Sequence, residues 1–266
     1  MKLGIDVSKW QGTIDWERVK AAGIEFAMLR AGYGAGNIDP QFERSAKECT
    51  RLGIPFGVYW FSYAYTPEMA RREAEYCAEA VRGYSLAYPA AWDFEYDSVD
   101  FALERGVAVT KELASAMARE FCGEIRRRGL YPMLYANPNY LAQYFDSGLP
   151  EEVDIWLAKW PRDPDPAVEP ELSGGMWQYS SSGQVEGISG RVDLDAAYRD
   201  YPAITKGGGN MDGYAAEAEK AREWVMERGI SDGERPLDKV TREELWVMLY
   251  RMEGDTDDKL AGTLRE

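Results

Sequence analysis

The chain contains no histidine. That absence removes Ser-His-Asp and Cys-His catalysis, His-ligated zinc and imidazole proton shuttling. Acid–base chemistry near neutral pH then falls to carboxyls, lysine or tyrosine. Cysteine is scarce. Cys49, Cys77 and Cys122 each lie in a helical pattern, and none belongs to a CxxC pair. They read as buried free thiols, in keeping with synthesis in a reducing compartment. No apolar run approaches transmembrane length, so no membrane insertion is expected. Met1-Lys2-Leu3-Gly4-Ile5-Asp6 reads as a strand at once, so no secretion signal is expected and the chain is expected to be made in the cytoplasm. Positive charge is also in deficit: 31 Lys and Arg stand against 46 Asp and Glu, a net charge of −15. That balance argues against nucleic acid and anionic membranes as partners. An anionic polymer would have to be held by hydrogen bonds and stacking.

Carboxyls and aromatics are plentiful. The most informative stretch is Ala90-Ala91-Trp92-Asp93-Phe94-Glu95-Tyr96-Asp97, an apolar run that ends in two acids two residues apart. On a strand, Asp93 and Glu95 would face the same side with Cβ atoms about 6.6 Å apart. Two adjacent carboxylates cannot both ionise freely, so one pKa should rise, and Glu95 is expected to be lifted by its acidic neighbours. A proton donor beside a charged partner is what glycoside hydrolysis requires. The nine Trp and seventeen Tyr supply rings of the kind that pack on sugar faces.

Strands are predicted at 3–6, 26–31, 55–61, 90–94, 132–136, 155–159, 175–179 and 192–194, with helices at 15–22, 40–52, 67–82, 110–128 and 138–145. This alternation argues for a parallel α/β fold. Eight strands suggest a β/α barrel, irregular in its second half where long helical stretches are missing. In such barrels chemistry sits at the C-terminal strand ends. Asp6, Asp93 and Glu95 fall there, and Asp193 lies within the last strand. Tyr33, Tyr59, Phe61, Tyr135, Trp156, Trp160 and Trp177 to Tyr179 gather at other strand ends.

Residues 1–203 read as this barrel domain and 204–211, with Lys206-Gly207-Gly208-Gly209-Asn210, as a flexible linker. Residues 212–266 read as a small helical module with a polar tail. Trp224 and Val225 share one helix face, Leu245, Met248, Leu249 and Met252 another, and Thr241-Arg242-Glu243-Glu244 gives a capping box.

With these residues in place, the chain resembles glycoside hydrolase family 25, the lysozymes that cleave peptidoglycan. The resemblance is carried by Gly4-Ile5-Asp6-Val7-Ser8, Trp10-Gln11-Gly12, Arg30-Ala31-Gly32-Tyr33-Gly34, Gly57-Val58-Tyr59-Trp60-Phe61, Trp92-Asp93-Phe94-Glu95, Trp156-Leu157-Ala158, Trp177-Gln178-Tyr179-Ser180 and Val192-Asp193-Leu194-Asp195. It implies an irregular eight-stranded barrel and cleavage of the β-1,4 bond between N-acetylmuramic acid and N-acetylglucosamine with retention, with no metal or other cofactor. Glu95 matches the general acid/base, Asp93 its assisting carboxylate, and Asp6 and Asp193 the other acidic positions. Arg30, Tyr33, Tyr59, Phe61, Tyr135, Trp156 and Gln178 fall in substrate-contact regions. Asp195 departs from the family pattern, where Asn is common, and is expected to add a charge near the site. Direct attack by Asp6 or Asp193 and substrate assistance with Asp93 both stay open.

The stretch from Glu223-Trp224 to Leu249-Tyr250-Arg251 resembles a single S-layer-homology motif. It suggests wall-polymer binding or self-association through residues 212–253. A phage or prophage endolysin, released by lysis onto the cell wall, is the leading expectation. A catalytically inactive glycan-binding protein and another barrel glycosidase such as a chitinase are the competing readings.

Overall fold

Along the apolar runs, alternate side chains enter two different apolar environments, and this alternation builds the barrel. The computed structural model describes residues 1–208, 224–230 and 246–247. Its elements are β1 (Lys2–Val7), a 3-10 turn (Lys9–Gln11), α1 (Trp16–Ala21), β2 (Phe26–Tyr33), β3 (Asn37–Ile38), α2 (Phe42–Leu52), β4 (Phe56–Phe61), α3 (Pro67–Ala80) and β5 (Ala90–Asp93). There follow α4 (Tyr96–Glu104), α5 (Lys111–Arg127), β6 (Pro132–Ala136), α6 (Pro138–Tyr144), α7 (Leu149–Glu152), β7 (Asp154–Ala158), β8 (Met176–Gly183), β9 (Val192–Ala197) and α8 (Tyr201–Gly208).

Eight of the strands close a barrel in the order β1-β2-β4-β5-β6-β7-β8-β9, with β9 returning to β1 and the short β3 hanging on β2 as a lip. The barrel neighbours from β1 through β8 run parallel, while the lip strand β3 is antiparallel to β2 and β9 is antiparallel to both β8 and β1. All eight expected strands are present. The expectation of an all-parallel sheet is corrected at β9, because a hairpin rather than a helical crossover joins it to β8. This reversal places the N-terminal end of β9, with Asp193, at the mouth formed by the C-terminal ends of the other strands.

Phe26, Met28, Tyr59, Ala91, Met133, Tyr135, Trp156, Ala158, Met176 and Ala197 form the inner cluster. Their chain neighbours Ala27, Leu29, Val58, Trp60, Ala90, Trp92, Leu134, Ile155, Leu157 and Trp177 belong to the outer layer, against the helices. The period of two decides which residues of each strand can reach the interior. The interior is crowded. A Cβ on Gly4 would lie 2.4 Å from the Phe26 ring, and on the outer side one on Gly32 would lie 2.3 Å from the Asn37 carbonyl oxygen of β3. The glycines of two of the sequence motifs therefore admit close packing.

The helices start where their caps allow. Thr66, Thr110 and Asn137 accept hydrogen bonds from the backbone N–H groups of Met69, Leu113 and Tyr140. Pro67 and Pro138 occupy first-turn positions, where the missing N–H costs nothing. The sequence reading misses α4, whose cap is Glu95 rather than a Ser, Thr, Asp or Asn. Ser98 Oγ instead accepts from Glu95 N at 3.0 Å and donates to the Ser62 carbonyl at 2.7 Å. All three cysteines are buried and free, and burial pushes the Cys77 and Cys122 thiols up to about 12.

Residues 1–208 form one unit and 209–266 a second. The helix α8 extends through residues 206–208, so the first part of the expected linker is helical. In the second unit residues 224–227 are helical and Gly229 adopts φ 63° in the turn that follows, as the sequence suggests. The helix expected around Leu245, Met248, Leu249 and Met252, its capping box and the polar tail lie largely outside the described residues.

A buried acid on α3 ties the mouth together at β4 and β5. Glu73 accepts from Ser62 Oγ at 2.6 Å, Tyr63 N at 2.8 Å and Trp92 Nε1 at 3.4 Å. Ser62 N in turn donates to the Asp93 carbonyl at 2.8 Å. Glu73→Ala would orphan these buried donors at roughly 1–3 kcal/mol for each one left unsatisfied. The expected outcome is a loss of about 2–5 kcal/mol in denaturant unfolding. A variant within 0.5 kcal/mol of the parent, roughly the range of a neutral surface change, would show that the network does not hold these strand ends.

Candidate active site

The inward-facing residues change character toward the mouth. Below lie Phe26, Met133 and Met176; above them Asp6, Arg30, Tyr59, Phe61, Asp93, Glu95, Tyr135, Trp156, Gln178 and Asp193 line a cavity of about 170 Å³. Ser8, Trp10 and Gln11 complete its wall. Thus every acidic residue expected at the site reaches one cavity, together with six of the seven expected contact residues. Tyr33 does not line it. That ring stands beside the cavity, 5.7 Å from the Arg30 guanidinium carbon and 5.8 Å from Lys9 Nζ.

The strand β5 ends at Asp93, one residue short of the expected end, yet Glu95 still faces the cavity. Its backbone is extended, φ −128° and ψ −167°, so the alternation of sides continues past the last ladder pair. Asp93 is buried and hydrogen-bonded to Glu95, which is less enclosed. Burial, followed by the charge of Glu95 and the hydrogen bond between them, holds the Asp93 carboxyl well above the usual range. Glu95 is also raised, first by burial and further by Asp97 and Asp193, while the hydrogen bond from Asp93 pulls it down. This revises one expectation. Asp93 does not lift Glu95 by repulsion; as the more deeply buried partner it holds the shared proton and donates it.

Across the barrel, Asp6 and Asp193 are directly opposed in the antiparallel register of β1 and β9. Burial raises Asp6 well above the usual range, with Asp195 and Asp193 adding to it, and burial pushes Asp193 up to about 6. Gln178 joins the two sides: Nε2 donates to Asp6 Oδ2 at 2.7 Å, and Oε1 accepts from Tyr135 OH and Trp160 Nε1, each at 3.0 Å. The Trp156 ring packs edge-on to Tyr135 and Tyr59 at 4.9 and 5.9 Å. Its Nε1 donates to Asp195 Oδ1 at 2.8 Å.

Asp195 corrects a second expectation. It is wholly buried, and burial pushes its carboxyl up to about 8, so at acidic and neutral pH it is mainly a neutral acid rather than an added charge.

Arg30 is the one cation among the described residues of the cavity wall, and its Nε donates to Asp39 Oδ2 at 2.7 Å. Asp39 also accepts from Lys9 N and Gln41 N, which pins the Lys9–Gln11 turn beside β2. That turn carries Trp10, 76% exposed, at the cavity edge. The sequence reading assigns no role to Asp39, Glu73, Ser62 or Ser98, and it leaves Ser8 and Gln11 out of the site. Ser8-Lys9-Trp10-Gln11 carries a usable signal, since Ser followed three residues later by Gln is a capping box, and the structure forms it. Asp39 and Glu73 give no local signal, because their partners lie on other elements.

Among the described residues no group of His, Cys, Asp and Glu is arranged to hold a metal ion. A larger, open groove of about 910 Å³ lies outside the barrel between α1, α2 and the β8–β9 hairpin. Arg18 and Arg51 there are paired with Glu186, Glu17 and Glu48, and Arg44 bonds the Ile14 carbonyl, so no reactive constellation forms.

Known proteins resemble this chain to a measurable degree. Protein YegX of Escherichia coli (strain K12) is 30% identical over 203 residues, covering 72% of this chain and 68% of that protein. Lysozyme M1 of Streptomyces globisporus is 28% identical over 196 residues, 71% of this chain and 65% of that one. The solved structure of the modular autolysin LytC from Streptococcus pneumoniae in complex with a synthetic peptidoglycan ligand superposes with a TM-score of 0.61 at 27% identity. The match takes in 73% of this chain but only 46% of LytC, so this chain spans less than half of that modular protein. The sequence also matches the profile of Glycosyl hydrolases family 25 over residues 5–188, and with the barrel and its acidic mouth this places the chain in that family.

Proposed function

We propose that the chain is a peptidoglycan hydrolase that cleaves the β-1,4 bond between N-acetylmuramic acid and N-acetylglucosamine with retention. The observation that carries this reading is the Asp93–Glu95 pair, a buried and a half-buried carboxyl, hydrogen-bonded to each other, that keep a proton above the usual carboxylate range in an aromatic-walled cavity. A mere sugar binder gains nothing from burying like charges at such cost. The lysozyme relative and the peptidoglycan-bound structural neighbour supply the substrate class.

In this reading Glu95 is the general acid. It gives its proton to the glycosidic oxygen as the bond to C1 breaks, and later takes a proton from the water that attacks C1. Its position serves both steps, because it borders the cavity and receives a proton from Asp93. Glu95→Gln keeps shape but cannot donate the proton. Reducing-end release from soluble glycan fragments should fall at least 10²-fold, within the typical 10²–10⁴ for general acid–base catalysis, with glycan binding intact. Near-normal turnover would remove Glu95 from this role.

Asp93 approaches the sugar from the same strand end as Glu95, so both carboxyls address one side. A backside nucleophile has to come from elsewhere. We favour the substrate's own N-acetyl oxygen, which attacks C1 to give a cyclic cation that Asp93 stabilises, and which water then opens. One feature favours direct carboxylate attack instead: Asp193 on β9 stands four strands from β5 in either direction around the barrel, facing Asp93 from the far wall. A glycan lacking the N-acetyl group separates these routes. Substrate assistance expects loss of cleavage; efficient cleavage, or a glycosyl adduct trapped on Asp193, would establish direct attack.

The basic limb of the pH profile should belong to the Asp93–Glu95 pair. Its proton is lost as pH rises, and with it the acid that cleavage needs. Asp93→Asn removes the second carboxyl and leaves an amide that donates to the Glu95 carboxylate, which lowers the Glu95 pKa. The basic limb on a soluble neutral glycan should move down. A limb that stays fixed or rises would show that the pair does not hold the proton.

A further inference from the structure

In a chain with a net charge of −15, a cation that no carboxylate claims calls for an explanation. Lys9 is such a cation, and it stands beside the cavity. Among the described residues its side chain makes no ion pair and no hydrogen bond. Its Nζ lies instead over two aromatic rings, 4.7 Å from the Trp10 centroid and 5.8 Å from that of Tyr33. Ring faces attract an ammonium without occupying its N–H groups, so its donors stay open.

The backbone that carries this side chain is fixed. Lys9 N donates to Asp39 Oδ2 at 3.0 Å, Trp10 N to Ser8 Oγ at 3.3 Å and Ser8 N to Gln11 Oε1 at 2.9 Å. Trp10, next in the chain, belongs to the cavity wall. The ammonium is therefore held at the rim by a set turn and two rings.

The charges around the cavity make this position matter. Asp6, Asp93, Glu95 and Asp193 line it. Arg30 meets Asp39 Oδ2 through both Nη2 and Nε at 2.7 Å, so that pair is neutral as a whole. In the glycan of the proposed reaction, N-acetylglucosamine is neutral. N-acetylmuramic acid bears a lactyl ether whose carboxyl is either free or extended by a peptide with carboxylates of its own. An acidic mouth repels such groups unless a cation with open donors stands at the rim, where a charge-assisted hydrogen bond can form.

We propose that Lys9 is a specificity-determining residue that binds a carboxylate of the muramyl side group at the rim of the cavity. This role rests on the reading of the chain as a muramidase and names the substrate feature that is recognised. It also gives Tyr33, which does not line the cavity, a place: its ring helps to hold the ammonium.

Binding is read on the full chain carrying Glu95→Gln, so that no turnover intervenes. Three soluble glycans of one length are the probes: strands with free lactyl carboxylates, the same strands as methyl esters, and strands whose lactyl groups carry stem peptides. The Lys9 side chain is exposed, so Lys9→Met should keep the fold. It should weaken binding of a charged strand about fivefold, the upper end for an exposed ion pair, and that of the methyl ester less than about twofold. Loss on the free-lactyl strands identifies the lactyl carboxylate; loss on the peptide strands alone identifies the peptide. Lys9→Arg keeps the charge and should restore most of the binding. Lys2→Met makes the same change in net charge at the opposite end of β1, where Lys2 pairs with Glu25, and should leave binding within about twofold.

Equal weakening on the methyl ester, or none on either charged strand, would overturn the assignment. Equal weakening by Lys2→Met would do so as well, since the effect would then be one of overall charge. Should the chain with Glu95 intact release no reducing ends from any of these strands, the hydrolase reading fails on its own, and the binding comparison still decides the role of Lys9.

Discussion

Carboxyl groups buried without matching cations are the constraint on which the mouth of this barrel depends. Asp6, Asp93 and Asp195 are nearly or wholly removed from water, and Glu95 and Asp193 largely so. Among the described residues Arg30 is the one cation in the wall, and it already serves Asp39. Such a cluster can exist only if it keeps protons, and groups that keep protons near neutral pH are what glycosidic cleavage requires. The chain supplies by burial what histidine would otherwise provide.

Burial of this kind needs a rigid frame, and the frame is specified by closure. The strand β1 pairs with β2 on one side and with the reversed β9 on the other. That junction joins the first and last thirds of the catalytic unit and sets Asp6 against Asp193 and Asp195. At the opposite wall, Glu73 holds the β4 and β5 ends through Ser62, Tyr63 and Trp92, and Ser98 fixes the backbone at Glu95. Gln178 spans the two halves, with Asp6 on one end and Tyr135 and Trp160 on the other. A neutral amide thus orients Asp6, and a fixed backbone turn holds Glu95 at the mouth.

The second unit offers no comparable account. Its helix at 224–227 and the Gly229 turn agree with the sequence pattern, and the rest of the motif resembling an S-layer-homology repeat lies largely outside the described residues. The role of that motif in wall binding stays a proposal from sequence, separate from the catalytic unit.

By itself the sequence determined the strands, the helices with conventional caps and the four principal acids. Period-two alternation and local capping are encoded within a few residues of the positions they affect. The same locality let Glu95 be placed beside Asp93 even though β5 ends early. Only the tertiary structure decided the reversal of β9, the start of α4, the anchoring by Asp39 and Glu73, and which acids are charged. Asp195 shows why. In the sequence it is one more negative residue after Asp193; in the barrel it sits under Trp156 and against Asp6 without water, and so it keeps a proton. Charge in this site is a property of burial and of partners far away in the chain, and neither is written in any local stretch of residues.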